Sequence, residues 1–356
     1  MDITFYTVDV GHGLCQVIRF GERAILIDGG GRLGKRVAED FLKRYVRVIV
    51  AYVATHNDYD HVAAAPELLD HYSSASTLES IWLSLDRPAS RPGQSDTDVI
   101  PLLGYAKRRK EARTVGALHL LNISDLQPDQ PVLVHREVAA DAELQLLYPR
   151  LLDITSSIIR GQPDSVATNA ASAILRLVVG SDKARAAVLI TGDATCQSFR
   201  VAHETYGFDL QARVLAVPHH GGEIPVESGA ETWDTVVEWV APEIAVVSAG
   251  HGTVPRPTTT KRETFDSLRR RKVNICCTEI TEHCHPGFKG FSPGVLPRSR
   301  YLFPQMSGDN ADAVACAGTV AIRLNSAGSV QLLGRTEHQS AIDRRVVPFP
   351  GCPHCR

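Results

Sequence analysis

The sequence predicts an α/β protein, on three observations. Strand-like and helix-like segments alternate along its 356 residues. An apolar run at residues 46–54, broken only by Arg47, reads as a strand buried on both faces. Residues of metal-ligand type follow directly after strand-like runs, where ligand sites of α/β sheets are expected. The length fits two domains or one large domain with additions, at about 150 residues per domain. Charged residues make up 22% and apolar residues 44%, which excludes a disordered chain, a collagen and a coiled coil. The net charge of −2 excludes a binder of nucleic acid that works by bulk positive charge, though not a local phosphate site.

The opening segments at 3–10, 14–20 and 24–27 are β-rich and are broken by Gly11-His12-Gly13 and Gly21-Glu22. Asp28 and three glycines then form a turn. Residues 35–45 read as an amphipathic helix with Val37, Phe41, Leu42 and Tyr45 on one face. The buried strand at 46–54 leads into Thr55-His56-Asn57-Asp58-Tyr59-Asp60-His61 and a helix to about Tyr72. Residues 86–98, rich in Pro, Ser, Arg and Gly, read as a long loop, and 99–113 as a helix. Strands are expected at 118–123, 131–134, 143–148, 172–179, 186–191, 214–217 and 244–248. Helices are expected from 194 to about 206, at 226–240 and at 258–272, and a hairpin at 318–333. The longest apolar stretches fall far short of the roughly 20 residues of a spanning helix. Residues 1–4 lack the basic and apolar segments of a secretory signal, so a cytoplasmic location is expected. The eight cysteines are not spaced as a disulfide framework, so reduced thiols are expected.

The strongest feature is His56-x-Asp58-x-Asp60-His61: four ligand-type side chains in six residues after a buried strand. Alternate residues of an extended turn point the same way, so His56, Asp58 and Asp60 can converge, and His61 opens the helix. Imidazole and carboxylate suit Zn²⁺, and carboxylate-rich sets also accept Mn²⁺. Asp193, after the strand at 186–191, and His219-His220, after the strand at 214–217, repeat the arrangement. Each comes from a different strand end, and in this order they are specific.

These residues resemble the metallo-β-lactamase fold superfamily. The sequence is most similar to the hydrolase domain of the competence protein ComEC and its free-standing relatives. Five stretches carry the likeness: residues 8–13, 25–30, 55–61, 189–193 and 217–221. The resemblance implies an αββα four-layer sandwich with one or two Zn²⁺ or Mn²⁺ ions at one edge. It implies that His56 and Asp58 face one metal and Asp60 and His61 the other. Asp193 would lie between them, and one of His219 or His220 would complete the second. It further implies a hydroxide held by the metals, which Asp60 could orient as a base. The sequence departs from the wider superfamily in having Asp58 where many members have His, and no His in residues 168–172. Asn169 is expected to line the site instead. After Ser248-Ala249-Gly250, where relatives often carry Gly-His-Pro, His251 or Arg256 could stand in, and Arg256 could clamp a phosphate.

His12 fits either a structural turn or a site-lining residue, and Asp28 a turn former that also holds a metal-bound imidazole. The basic runs 107–110 and 269–272 fit solvated helix faces or local nucleic-acid contacts. The tail Cys352-Pro353-His354-Cys355 is half a zinc site, and Cys284 and His285 could supply the rest of a structural Zn²⁺ set. Residues 1–335 are thus read as a hydrolase domain and 336–356 as a Cys-x-x-Cys tail. The function expected is a metal-dependent phosphodiesterase or nuclease acting on nucleic acid or a nucleotide, with no membrane partner. Amide, lactone or thioester hydrolysis on the same metals, or a catalytically weak metal-binding component of a larger assembly, are the alternatives.

Overall fold

Two mixed β-sheets lie face to face. The computed structural model describes residues 2–84, 101–124, 127, 129–154, 168–180, 185–224, 232–250, 260–279, 281, 283 and 318–334. The first sheet contains β1 (Ile3–Thr7), β2 (Cys15–Phe20), β3 (Arg23–Asp28), β4 (Val48–Val53), β5 (Ser80–Leu83) and β6 (Ala117–Leu120). The late hairpin β14 (Val320–Leu324) and β15 (Val330–Leu332) extends it, giving the order β15-β14-β1-β2-β3-β4-β5-β6. The second sheet contains β7 (Val132–Glu137), β8 (Ala142–Tyr148), β9 (Ile174–Val179), β10 (Ala186–Ile190), β11 (Val214–Ala216), β12 (Ile244–Val247) and β13 (Asn274–Cys277). Its order runs β13 to β7 without a break.

The two sheets share one plan. In each, an antiparallel meander (β1–β2–β3, or β8–β9–β10) passes into a parallel run (β3 to β6, or β10 to β13). Parallel neighbours need crossovers, and helices supply most of them. In the first sheet these are α1 (Lys35–Tyr45), α2 (Tyr59–Val62), α3 (Ala65–Ser74) and α4 (Pro101–Glu111). In the second they are α5 (Cys196–Tyr206), α6 (Trp233–Val240) and α7 (Arg262–Arg270).

Strand alternation sends side chains to two cores at once. Ile18, Ile25, Ile27 and Val53 meet Leu144, Leu175, Val188 and Val246 between the sheets. On the outer face of the first sheet, Leu26 and Tyr52 pack under Phe41 of α1, Leu69 of α3 and Tyr105 of α4. On the outer face of the second, Leu189, Leu215 and Val247 pack under Phe199 of α5, Val236 of α6 and Phe265 of α7. Three apolar interlayers make four layers, helix–sheet–sheet–helix. Each large side chain fully buried there contributes about 1.5–3 kcal/mol. The cysteines Cys15, Cys196, Cys276 and Cys277 are buried in these interlayers.

The structure adjusts several elements. The helix expected through Tyr72 is two helices, because Pro66 near the start of α3 lacks an N–H and opens a new first turn. The helix expected from 226 begins at Trp233, where Thr232 and Thr235 form a capping box. β5 and β13 were not foreseen, since four residues are too few to display a period. The loop at 86–98, His251, Arg256 and the zinc candidates Cys284, His285, Cys352 and Cys355 lie outside the described residues. Among the described residues, no helix is long and apolar enough to cross a membrane.

Candidate metal centre

Strand ends of both sheets meet at one edge of the sandwich. The first sheet delivers Asp28 from the end of β3 and the 55–61 segment from the end of β4. The second delivers Asp193 after β10, His219 and His220 after β11, and Ser248 after β12. The junction is narrow. Ala173 N donates to Thr55 O at 3.0 Å across it, and Gly192 lies in the left-handed region at φ +48°. A Cβ on Gly192 would press into Ser172 Oγ and lie 2.6 Å from Thr55 Oγ1, so no other residue fits without displacing them.

Four ring nitrogens and three carboxylates converge here. His61 Nε2 lies 3.2 Å from Asp193 Oδ1, and His56 Nε2 lies 3.7 Å from Asp193 Oδ2 and 3.8 Å from Asp58 Oδ2. His220 Nε2 lies 3.2 Å from Asp60 Oδ2, and His12 Nε2 lies 3.4 Å from the same oxygen. His56, His61 and Asp193 form one set of mutually close ligand atoms, and Asp60, His61 and His220 another. Of the two adjacent histidines, His220 is the buried one. His219 is partly exposed, its Nε2 lies 4.0 Å from Asp193 Oδ2, and its Nδ1 donates to Glu223 O at 2.6 Å. Both have positive φ, +50° and +54°, a conformation that costs about 1–2 kcal/mol for an L-residue.

The ring orientations have a traceable cause. Asp28, fully buried, accepts from Thr55 N at 2.8 Å, from Thr55 Oγ1 at 2.7 Å and from His61 Nδ1 at 2.8 Å. Thr55 Oγ1 has one proton and gives it to Asp28, so it accepts from His56 Nδ1 at 3.1 Å. A single carboxylate thus sets the Nδ1–H tautomer of two imidazoles, one directly and one through a hydroxyl. Both Nε2 atoms are turned to the centre, where a cation can take the place of a proton. His220 Nδ1 donates to Ser248 O at 2.9 Å, with the same result. Ser172 Oγ lies 3.4 Å from His56 Nδ1 and accepts from Asp193 N at 2.9 Å. Thr55, Ser172 and Ser248 were not singled out in the sequence. The only signal was their position beside a ligand-type residue or at a strand end.

The electrostatics favour a cation. Burial lowers the His56 imidazole to about 3, with the His61 charge adding to it. Burial opposes charge on His61 and His220 too, but Asp193, Asp28 and Asp60 outweigh it and raise both. Burial would raise the carboxyls of Asp60 and Asp193, yet the facing imidazoles hold both well below the usual range. The cluster therefore draws positive charge to itself. His56 Nε2, His61 Nε2, His220 Nε2 and Asp193 Oδ1 are buried with no hydrogen-bond partner. Buried polar atoms are rarely left so. Divalent ions held by the two sets would satisfy these atoms and supply the charge, so the residues present fit a metal.

The remaining sequence candidates are less central. Asn169 is buried in the turn before β9, where its backbone O accepts from Ser172 N at 3.1 Å. Its side-chain Oδ1 is buried with no hydrogen-bond partner. In the basic runs, Arg109 pairs with Asp70, Arg269 with Asp266, Arg270 with Asp234 and Arg271 with Glu238.

No curated protein matches the chain. Among solved structures, similarity extends to the metallo-β-lactamase fold protein YhfI of Bacillus subtilis, at 15% identity and TM-score 0.42, over 78% of this chain and 97% of that one. It extends also to Zn²⁺-bound PqqB of Methylobacterium extorquens, at 12% identity and TM-score 0.40, over 78% and 98%. The short form of human tRNase Z is similar at 15% identity and TM-score 0.38, over 69% and 91%. Residues 8–131 match the model of the metallo-beta-lactamase superfamily. With that segment so matched and two mixed sheets packed between helices, the chain has the metallo-β-lactamase fold.

Proposed function

We propose that this chain is a metal-dependent hydrolase of phosphodiesters, acting on nucleic acid or a nucleotide, and that it is a ComEC-like free-standing hydrolase. The observation that carries the reading is the convergence of His56, His61, His220 and Asp193 with their metal-facing atoms buried and unpartnered. His56, Asp58 and Asp193 would hold one ion, and Asp60, His61 and His220 the other, with Asp193 shared. Three carboxylates in this set make it hard enough for Mn²⁺ as well as Zn²⁺. Such ions, when bound, supply positive charge at a phosphoryl oxygen and make water a better nucleophile at neutral pH.

The chain's own residues shape the approach. His56 and His61 are fully buried and Asp193 nearly so, while Asp58 and Asp60 are about one-fifth exposed, and His219 and His12 more so. Substrate therefore enters on the side of Asp58, Asp60 and His12. Asp60 Oδ2, flanked by His220 and His12, is a poor proton sink, because its carboxyl is held so low. Its role is to orient the proton-bearing group at the centre rather than to keep the proton. Metal quantification joined to cleavage assays with Zn²⁺ or Mn²⁺ added back tests the reading. At least one metal per chain is expected, with cleavage of a phosphodiester and loss of at least a hundred-fold in Asp193→Ala, as for removal of one unit of a catalytic set. Fewer than one equivalent, with activity retained in Asp193→Ala, would overturn it. Turnover of a thioester or lactone but no phosphodiester would move the function to the alternative chemistry.

A further inference from the structure

Beside α5, the outer face of the second sheet holds a cavity of about 280 Å³. Strand register builds its floor. Gln145 of β8 lies opposite Arg176 of β9, and Arg176 opposite Leu189 of β10, so all three point to the outer face. Leu189 is covered by Phe199 of α5, whereas Gln145 and Arg176 line the cavity, with Tyr206 from the end of α5 and Asp209 just after it. The metal centre lies at the other end of the same strands. Ser172 precedes β9 and Asp193 follows β10, while Gly180, after β9, and Arg185, before β10, line the cavity. Arg176 is the anomaly of the floor, with a side chain only 7% exposed. Its Nη1 donates to Asp209 Oδ1 at 3.2 Å, but that oxygen also takes Arg185 Nη1 at 3.2 Å, and Asp209 is 62% exposed. A counter-ion so shared and so wet contributes little. Arg176 Nε is buried with no hydrogen-bond partner. Leaving a buried donor of a charged group unpaired is costly, and this donor belongs to the fork that a carboxylate grips with two oxygens. The walls carry the opposite charge. Asp129 and Asp141 are exposed on the same cavity and form no ion pair among the described residues.

We infer that this cavity binds a small zwitterion of amino-acid type, its carboxylate on the Nε edge of Arg176 and its ammonium beside Asp129 and Asp141. Four carboxylates line the cavity, those of Asp129, Asp141, Glu143 and Asp209, against the two guanidiniums of Arg176 and Arg185. That balance disfavours a phosphate, whose second negative charge would meet them, and favours a ligand that brings a positive charge with its carboxylate. The size agrees. At about 30 Å³ per water the cavity has room for about nine waters, close to the roughly ten non-hydrogen atoms of lysine or glutamine. The inference is independent of the phosphodiester reading, since the cavity and the metal centre share no residue.

Titration calorimetry on the metal-free full chain tests it, with L-lysine, L-glutamine, cadaverine and inorganic phosphate as probes. Metal is left out because amino acids chelate it. At least one of the two amino acids is expected to bind with a Kd of about 1 mM or tighter, which a ligand of this size can reach. Cadaverine, which is lysine without its carboxylate, should bind at least about ten-fold more weakly than that amino acid, having lost a charge-assisted pair. Arg176→Lys keeps the charge and loses the fork, and should weaken the amino acid about ten-fold. The double variant Asp129→Asn/Asp141→Asn should weaken the amino acid and leave phosphate no weaker. Its positions are exposed, so it decides the matter if circular dichroism shows Arg176→Lys to be unfolded. Any one of four results overturns the inference: neither amino acid binding below about 10 mM, far weaker than its size allows; cadaverine binding as well as the better amino acid; phosphate binding more tightly than both; or either variant, folded, binding the amino acid as the wild type does.

Discussion

Replacing Asp28 by asparagine isolates the hydrogen-bond logic of the centre, since it changes one buried oxygen and no volume. In the wild-type chain the carboxylate faces three donors: Thr55 N–H, Thr55 Oγ1–H and His61 Nδ1–H. An amide can keep its oxygen toward Thr55 N, but its NH₂ then meets two donors. The other amide rotamer only moves the conflict to Thr55 N. Relief comes if His61 shifts its proton to Nε2, and that nitrogen can then no longer bind a cation. Loss of such an outer hydrogen bond typically weakens metal binding 10–100-fold, or about 1.4–2.7 kcal/mol. Asp28→Asn should fall at the upper end, because it also removes the acceptor behind Thr55 and hence behind His56. Thr55→Val keeps the carboxylate and His61 and should fall at the lower end, about ten-fold. Competition against a chromophoric chelator gives the affinities, and circular dichroism verifies the fold. A folded Asp28→Asn protein that binds Zn²⁺ within two-fold of wild type would refute the reasoning.

Other expectations follow from the same geometry. Gly192→Ala should cost about 2–4 kcal/mol in urea denaturation, from the positive φ and the collision with Ser172 Oγ and Thr55 Oγ1; a cost under 1 kcal/mol would mean that the junction yields. Removing metal with EDTA should lower the melting temperature by about 4 °C if free metal had stood at a hundred times its Kd. A melting temperature indifferent to EDTA and to added Zn²⁺ would count against a bound ion.

The pattern of strands and helices was legible because β3, β4, β10 and β11 are long or apolar enough to register and end in chemically conspicuous residues. The four-layer architecture came through the likeness of five short stretches, not through periodicity. Helix breaks were harder, since Pro66 reads either as a helix start or as a kink until the preceding turn is seen. The ligand-type residues stood out because His and Asp crowd into six positions. Their supports did not: Thr55, Ser172 and Ser248 act through one hydroxyl or carbonyl each, and such groups are everywhere in a sequence. Nor could the sequence separate His219 from His220. Adjacent residues in a left-handed turn differ only in where the backbone sends them, and it sends His220 inward. The partners of the charge runs were equally illegible, since Asp70, Asp234 and Glu238 lie more than thirty residues from the arginines they pair with.

The shared plan of the two sheets bears on when this centre can form. His56, Asp58, Asp60 and His61 come from the first sheet, and Asp193 and His220 from the second. A nascent chain synthesised as far as β9 already displays four candidate donors but nothing to close around them. The donor set is complete only after residue 220 has been made and the second sheet has docked on the first. Uptake of an ion there would therefore be coupled to the joining of the two halves, and the ion would act as a latch between segments separated by more than 130 residues.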